Sequence, residues 1–223
     1  MADFINTRDV IGDDALTDSI IDRSVTEYKD DTVTAIGYCS LRACKSLTAV
    51  NCPAAKSIDT MAFNSCSNLT SADFSAVTSI GAHAFRMCTN LTSVNFPALT
   101  SIGGSAFHDC SKLTSVNFPA LTSIGEFAFQ GCANLTSLDF PEVTKIEMYG
   151  FNNCSKLTTV ILRKNTVCSL DSTIGFSGTP IKYGTGYIYV PRNLVDSYKA
   201  AKNWSTYANQ IRAIEDYPEI CGG

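Results

Sequence analysis

The stretch Leu91-Thr92-Ser93-Val94-Asn95-Phe96-Pro97-Ala98-Leu99-Thr100-Ser101-Ile102-Gly103-Gly104-Ser105-Ala106-Phe107-His108-Asp109-Cys110-Ser111-Lys112 is one copy of a unit that repeats every 22 residues. Its cysteine belongs to a column of six, each followed three residues later by a leucine: Cys44, Cys66, Cys88, Cys110, Cys132 and Cys154. A fixed period of this length predicts a solenoid, in which each copy forms one coil and buries its apolar side chains against its neighbours.

Other apolar columns recur with the same period. One is occupied throughout by isoleucine: Ile36, Ile58, Ile80, Ile102, Ile124 and Ile146. A second is mostly phenylalanine: Leu41, Phe63, Phe85, Phe107, Phe129 and Phe151. A third holds small aliphatic residues: Val50, Ala72, Val94, Val116, Leu138 and Val160. Because these columns align in every copy, we expect their side chains to stack along one continuous core.

Each coil is predicted to contain two short strands and one helical turn. The pattern Leu-x-x-Val-x-Phe places apolar side chains inward with polar ones between them, as in a half-buried strand. Pro97 and its equivalents end this strand, because proline cannot donate to a sheet. Thr100-Ser101-Ile102-Gly103 indicates a second short strand. The spacing of the small and aromatic residues in Ala-Phe-x-x-Cys favours one helical turn.

The six column cysteines, called here the cysteine ladder, are predicted to be buried free thiols. Disulfides and a metal site are the alternatives for six cysteines. Stacked equivalent side chains lie about 4.8 Å apart and point the same way, which makes a disulfide awkward. Buried thiols behave as small apolar groups and fit a reducing compartment. Four cysteines fall outside the ladder and are left unassigned: Cys39, Cys52, Cys168 and Cys221.

Composition excludes several classes of function. The formal charge of −4 and pI near 5.1 provide no global attraction to nucleic acid or anionic lipid. No apolar run reaches the roughly 18 residues needed to span a bilayer, so we expect no membrane insertion. The first residues, Met1-Ala2-Asp3-Phe4-Ile5, show neither the basic nor the apolar region of a secretory signal.

The repeat resembles the leucine-rich repeats of the BspA or Treponema pallidum type, over about residues 33–165. The resemblance implies a β-rich leucine-rich-repeat solenoid, a right-handed superhelix of the α/β-type class, with six 22-residue repeats plus a degenerate one and terminal caps. It also implies adhesion at a bacterial cell surface or a role in a phage, and it carries over no catalytic residues.

Three segments are expected along the chain. Residues 1–32 form an N-terminal cap or attachment segment, in which residues 14–21 favour a short capping helix. Residues 33–186 form the solenoid, ending in a degenerate coil near residues 174–180 with about three residues inserted. Residues 187–223 form a strand-helix cap, in which Pro191 starts a helix and Trp204 covers the open end.

No catalytic, cofactor or metal site is predicted. His83 and His108 lie in different columns of adjacent coils, and a metal site would need more ligands nearby. A nucleophilic pair of Cys110 with His108 is disfavoured, because residues two apart do not face each other on a helical turn. Gly103-Gly104 indicates a turn and not a phosphate loop, since no Lys-Ser/Thr follows.

Two surfaces are candidates for binding. The outward strand positions hardly vary, so this polar face is interpreted mainly as a solubility feature. Variation concentrates on either side of the small residue that precedes each column phenylalanine, where aromatic, Met and Arg residues of the kinds enriched at interfaces occur. We call these residues the ridge: Tyr38, Met61, His83, Arg86, Met87, Phe127, Met148 and Tyr149. Relaxed selection on a solvent-facing turn is the alternative explanation.

The sequence therefore favours a non-enzymatic protein-binding or adhesion module that displays a rigid repeat surface. The expected partner is a protein or glycan on a bacterial or host cell surface, with no nucleic acid and no cofactor. A phage or bacterial surface component fits this interpretation. The alternative function is a structural spacer in a virion or filament, and the third hypothesis is an enzyme that uses His108 or a pair of cysteines.

Overall fold

The fold is built from short parallel strands stacked coil upon coil. The computed structural model describes residues 10–11 and 25–221, with side chains for 25–220. Its first sheet has eight strands: β1 (Val10–Ile11), β3 (Ala35–Ile36), β5 (Ser57–Ile58), β7 (Ser79–Ile80), β9 (Ser101–Ile102), β11 (Ser123–Ile124), β13 (Lys145–Ile146) and β15 (Ser169–Leu170). This sheet contains the isoleucine column.

Two further sheets carry the other strand of each coil. The second sheet has five strands: β2 (Glu27–Lys29), β4 (Ala49–Asn51), β6 (Ser71–Asp73), β8 (Ser93–Asn95) and β10 (Ser115–Asn117). The third has four: β12 (Ser137–Phe140), β14 (Thr159–Leu162), β16 (Tyr187–Val190) and β17 (Ile211–Ala213). Every pairing is parallel, and within the repeats the register advances by one 22-residue unit, as in Val94 with Val116.

The strand predictions are confirmed by burial. In β8, Ser93 and Asn95 are exposed and Val94 between them is buried, which is the alternation expected of a half-buried strand. Threonines beside the strands extend the ladder, since Oγ1 of Thr92 donates to the carbonyl oxygen of Thr70 at 3.2 Å. These side-chain bonds add to the backbone bonds that hold neighbouring coils together.

The core runs without interruption from Tyr28 to Ile211. The phenylalanine column stacks with ring centroids 5.1 Å apart between Phe63 and Phe85 and 5.3 Å apart between Phe85 and Phe107. A second phenylalanine column, Phe74, Phe96, Phe118 and Phe140, lies beside it. The predicted β-rich leucine-rich-repeat solenoid is therefore confirmed.

The predicted helical turn at Ala-Phe-x-x-Cys is wrong. Residues 104–109 form consecutive turns, and none of the coils from residue 33 to residue 170 contains a helix. Ser105 and Asp109 have φ of 57° and 60°, which an α-helix does not allow. Alternate N–H groups bond to the next coil instead, so the α-helical bond pattern cannot form.

The degenerate coil is present, and three extra residues precede it. Phe129 donates its N–H to Gly150, 21 residues away, whereas the equivalent Phe151 donates to Gly175, 24 residues away. A 3-10 helix spans Thr173–Phe176, and Phe176 stacks on Phe151 with centroids 5.3 Å apart. The inserted residues thus leave the phenylalanine column intact.

Among the described residues, the remaining helices follow the degenerate coil. A 3-10 helix (Arg192–Leu194) follows Pro191 and leads into α1 (Val195–Ala200), as predicted. Two more 3-10 helices span Trp204–Gln210 and Ile214–Asp216, and α2 spans Pro218–Cys221. Trp204 is 1% exposed and packs beside Phe176, so it covers the end of the core. Within the described part of the chain, no helix is long and apolar enough to cross a bilayer.

At the N-terminal end, the predicted helix over residues 14–21 lies outside the described residues. β1 and β2 lie inside the segment 1–32 and continue the first and second sheets, pairing with β3 and β4. Asp30 is buried and accepts hydrogen bonds from the N–H groups of Thr32 and Val33, which turns the chain between β2 and β3.

Candidate functional site

The variable residues lie on one edge of the solenoid, formed by six equivalent turns. Each turn holds two residues, four apart in sequence, in the left-handed conformation, such as His83 and Met87 with φ of 59° and 60°. Only one of these twelve positions is a glycine, Gly131. An L-residue pays about 1–2 kcal/mol in this conformation. Large side chains are therefore placed where glycine would cost less.

A hydrogen-bond network holds these turns in place. The N–H of Ser105 donates to the carbonyl oxygen of Glu126 at 2.7 Å, and the N–H of Asp109 donates to that of Gln130 at 2.8 Å. Between them, the N–H of His108 donates back to the carbonyl oxygen of Ser105 at 3.1 Å. Every second N–H group thus bonds to the next coil, and the N–H groups between them bond within the turn. The edge is a rigid part of the scaffold and not a loose loop.

The structure places the ridge residues at the surface of this edge. Tyr38, Met87 and Met148 are each 39% exposed, and the other five ridge residues are half-buried. Tyr183, with 75% exposure, is the other large hydrophobic side chain found exposed among residues 25–220, and it lies in the C-terminal part of the chain. Exposed large apolar groups are thus concentrated on the ridge within the repeats.

Two aromatic ridge residues form a stacked pair. The rings of Phe127 and Tyr149 lie 4.6 Å apart with an angle of 7° between their planes. They occupy the same position in adjacent coils, so the left-handed backbone presents both rings side by side. Met148, the neighbour of Tyr149, extends this apolar surface. The ridge therefore carries an aromatic patch toward its C-terminal end.

The N-terminal half of the ridge carries one positive charge, that of Arg86. Burial, together with the nearby Arg86 and His108, lowers the pKa of His83. His83 is therefore neutral at pH 7, and the positive charge there belongs to Arg86. Nδ1 of His108 lies 3.0 Å from Oδ2 of Asp109 without forming a hydrogen bond. Across residues 25–220, no group of three or more His, Cys, Asp or Glu side chains is arranged to hold a metal ion.

The acidic side of the edge lies around the later coils. Nζ of Lys145 contacts Oε1 of Glu147 at 2.7 Å and Oδ2 of Asp171 at 3.5 Å. The other carboxylate oxygen of Glu147 accepts a hydrogen bond from the N–H of Glu126 at 3.1 Å. The Glu126 side chain is exposed beside Phe127. Acidic and aromatic side chains thus lie together at the C-terminal end of the edge.

The polar sheet face differs from the ridge in its uniformity. Ser93, Asn95, Ser115 and Asn117 are exposed and repeat nearly unchanged from coil to coil. Nδ2 of Asn117 donates to Oδ1 of Asn95 at 3.0 Å, so part of the hydrogen-bonding capacity is used within the face. A partner would meet the same groups in each coil, with little to distinguish one register from another.

The cysteine ladder lacks the features of a reactive thiol. The thiol of Cys110 donates to the carbonyl oxygen of Phe85 in the preceding coil at 3.1 Å, and Cys66, Cys88, Cys132 and Cys154 make equivalent bonds. Burial raises the pKa of these thiols, to about 12 for Cys154. They are protonated at neutral pH, whereas a nucleophilic cysteine needs a lowered pKa. Neither His108 nor another group activates Cys110.

The cysteines outside the ladder follow the same pattern. Cys39, Cys52 and Cys168 are buried free thiols. Burial raises the pKa of Cys52 and of Cys168 to about 12. The side chain of Cys221 lies outside the described residues. All described thiols thus serve packing.

Sequence reasoning missed one apolar surface on the sheet face. Ile161, Tyr187 and Tyr189 occupy outward positions of β14 and β16, where earlier coils carry serine and asparagine. They form a small apolar cluster with residues 214–220, separate from the main core. The run of consecutive apolar residues in Val160-Ile161-Leu162 breaks the polar alternation and is the signal that could have revealed it.

Comparison with known proteins supports the repeat assignment. A family model described as BspA type leucine rich repeat region matches six copies, over residues 9–120 and 78–186. No curated protein matches the chain in sequence.

Similar solved structures share low sequence identity with this chain. A leucine-rich repeat protein from Bacteroides ovatus is 20% identical, with a TM-score of 0.42, and the match covers 85% of this chain and 66% of that one. A leucine rich repeat protein of T. pallidum is 22% identical, with a TM-score of 0.43, covering 70% and 77%. A leucine rich cell surface protein from Faecalibacterium prausnitzii is 18% identical, with a TM-score of 0.40, covering 90% and 86%.

Proposed function

Because the chain belongs to the BspA-type leucine-rich repeat family, we propose that it is a non-enzymatic binding module whose ridge contacts a protein partner. Repeat proteins of this kind are interaction scaffolds, in which a fixed backbone displays side chains over a long surface. The finer proposal is adhesion, with a partner on a bacterial or host cell surface and a phage or bacterial surface component as the source.

One observation carries the proposal. Five of the eight ridge residues stand at left-handed backbone positions, while the other columns of the solenoid keep their repeat: Met61, His83, Met87, Phe127 and Tyr149. Strained conformations of this kind persist where the surrounding structure holds them, and they cluster at functional sites. Relaxed selection alone would be expected to leave glycine or asparagine at these positions more often.

The contact types of the ridge suit a protein surface. The stacked rings of Phe127 and Tyr149 offer apolar area with little conformational entropy to lose, since the stack already orders them. Met87 and Met148 are flexible apolar groups that adapt to a partner. Arg86 supplies a charged donor of the kind that dominates binding energy at interfaces.

A pull-down from bacterial surface extracts, with identification of the retained protein, tests the proposal. Substituting Arg86, Phe127 and Tyr149 together by alanine should reduce capture at least tenfold. The matched control replaces Ser93, Ser115 and Ser137 by alanine on the polar sheet face and should retain the partner. Equal capture by both triple variants would refute the ridge as the binding surface. If no extract yields a partner that the ridge variant loses, the spacer function becomes the better account.

A further inference from the structure

The last part of the described chain packs on the outer face of the third sheet and not on the end of the core. The end of the core is covered by Tyr198, Trp204 and Tyr207, each 1% exposed. Residues 214–220, called here the strap, instead pack on the outward side chains of β14 and β16. The strap therefore has a role separate from closing the solenoid.

The strap covers an apolar platform made by Ile161, Tyr187 and Tyr189. Ile161 and Tyr189 are each 7% exposed, and Ile214, Tyr217 and Ile220 of the strap pack against the platform. The ring of Tyr217 meets that of Tyr189 edge-on, with centroids 5.1 Å apart and an angle of 78°. Arg212 lies over the ring of Tyr187, 4.7 Å from its centroid.

A polar contact also holds the strap on this surface. Nη2 of Arg163 donates to the backbone carbonyl oxygen of Ile220 at 2.9 Å while the same guanidinium pairs with Asp139. A basic side chain is thus already oriented toward a main-chain acceptor. The aromatic rings and the aliphatic side chain of the platform, with Arg163 beside them as a donor, suit a short peptide with bulky apolar side chains.

The strap is held by its own small apolar cluster and by polar contacts, several of which are exposed. Its cluster is separate from the main core. At its start, Arg192 pairs with Asp216 at 2.5 Å, and both side chains are more than half exposed. Exposed ion pairs contribute little to stability, and a helix as short as α2 is marginal by itself. Such segments open locally before the rest of a protein unfolds.

We propose that Ile161, Tyr187 and Tyr189 form a peptide-binding site that the strap occupies intramolecularly. Its partner is a peptide segment with apolar side chains spaced like Ile214, Tyr217 and Ile220, which binds by displacing the strap. Binding there requires strap opening, so the strap lowers the apparent affinity for the competing peptide. This site is independent of the ridge.

The test uses the full chain and a fluorescent, amidated peptide with the sequence of residues 213–220. In the Tyr217→Ala/Ile220→Ala variant the strap loses its apolar contacts, and fluorescence anisotropy should show peptide binding at least tenfold tighter than to the unaltered protein. Adding Tyr189→Ala to that variant should abolish the gain. The control, Lys199→Ala/Lys202→Ala, changes exposed residues of the cap and should behave as the unaltered protein does.

A second variant keeps the proposal testable if the first does not fold. Glu215→Gln/Asp216→Asn leaves the apolar residues in place and removes the two negative charges that contact Arg192. It should speed hydrogen exchange in residues 214–220, leave Tyr187–Val190 unchanged and permit peptide binding. The proposal is overturned if weakening the strap leaves peptide affinity unchanged, or if the unaltered protein binds the peptide as tightly as the variants do.

Discussion

At the scale of single residues, the cysteine ladder shows how one side chain meets two demands of a stacked coil. The position is fully buried, as for Cys110 at 0% exposure, so the side chain must be small and largely apolar. Its S–H also donates a hydrogen bond to the carbonyl oxygen of Phe85. Alanine would lose the bond. The regular spacing of the cysteines thus reflects packing and not reactivity.

Alkaline pH should destabilise the protein because of these thiols. Burial raises the pKa of Cys154 to about 12, whereas an unfolded thiol titrates near 8.5. Between these values the unfolded state holds fewer protons than the folded state, so the free energy of unfolding falls as pH rises. Urea midpoints under reducing conditions should be constant from pH 7 to 8 and decrease from pH 9 to 10.

A variant provides the control for this prediction. Cys154→Ala removes one ionising thiol and should reduce the decrease in the urea midpoint between pH 8 and 10, although it is less stable at pH 7. If the unaltered protein kept the same midpoint from pH 8 to pH 10, the thiols would not be protonated by burial as described.

Ridge residues in the left-handed conformation should lower the free energy of unfolding. Met87 has φ of 60° and a 39% exposed side chain, so its replacement loses little packing. Met87→Gly should raise the free energy of unfolding by up to about 1 kcal/mol, because glycine adopts this conformation without steric cost. Met87→Ala, measured in the same urea titration, should lie near the unaltered protein. A glycine variant less stable than the alanine variant would contradict the strain argument.

At the scale of elements, the turn between β9 and the ridge depends on close contact between coils. A Cβ at Gly103 would lie 2.6 Å from the backbone nitrogen of Ala82, which cannot move aside without disturbing its own coil. At the neighbouring Gly104 the nearest atom is the carbonyl oxygen of Glu126 at 3.4 Å. A side chain at Gly103 would therefore clash with the neighbouring backbone, whereas one at Gly104 would fit with little displacement.

Gly103→Ala should lower the free energy of unfolding by about 1–3 kcal/mol, the usual cost of overpacking. Gly104→Ala serves as the matched control and should change it by much less. Thermal unfolding of both variants checks the prediction. Equal losses at the two positions would show that the contact between coils is not as tight as the structure indicates.

The strands and buried columns could be predicted from the sequence, whereas the backbone of the turns could not. The period fixed the strand positions and the buried columns, because stacking places each apolar residue over its equivalent, as with Ile80 and Ile102. The helical turn was wrong because left-handed residues leave only a weak compositional mark here: Ser105 and Phe127 are not of the types that favour this conformation. Gly131, Asp109 and Asn153 are, but three such residues among twelve positions are a weak signal.

The two candidate surfaces, the ridge and the platform, also differed in how far the sequence could predict them. The ridge could be identified because its residues depart from an otherwise strict repeat, and the structure places them on one exposed edge. For the platform of Ile161, Tyr187 and Tyr189 the only signal was the apolar run around Ile161, because Tyr187 pairs with Thr159 across an insertion that breaks the 22-residue register. Tyr217 lies further away in sequence, and its contact with Tyr189 follows only from the folded chain.

At the scale of the whole molecule, stability should depend on the end of the stack. Each coil contacts only its neighbours, so an uncovered end frays inward. Trp204 donates from Nε1 to the carbonyl oxygen of Cys168 at 2.6 Å and packs against Phe176. Trp204→Ala should cost about 3–5 kcal/mol, as truncation of a buried tryptophan usually does.

Hydrogen exchange locates the effect of that variant. Amides of β15 should exchange faster in Trp204→Ala, while those of β9 in the middle of the stack should change much less. Trp204→Phe, which keeps an aromatic ring but loses the donor, should give an intermediate result. A uniform increase of exchange in all coils would contradict the picture of a stack that frays from its end.

The central claim is that a partner contacts the ridge and not the polar sheet face. Hydroxyl-radical footprinting of the complex with the captured partner tests it most directly, because Met61, Met87 and Met148 are readily oxidised reporters on the ridge. We expect the partner to slow oxidation of these methionines several-fold and to leave Tyr183, exposed in the C-terminal part of the chain, unchanged. Unchanged methionine oxidation in a saturated complex would contradict the claim.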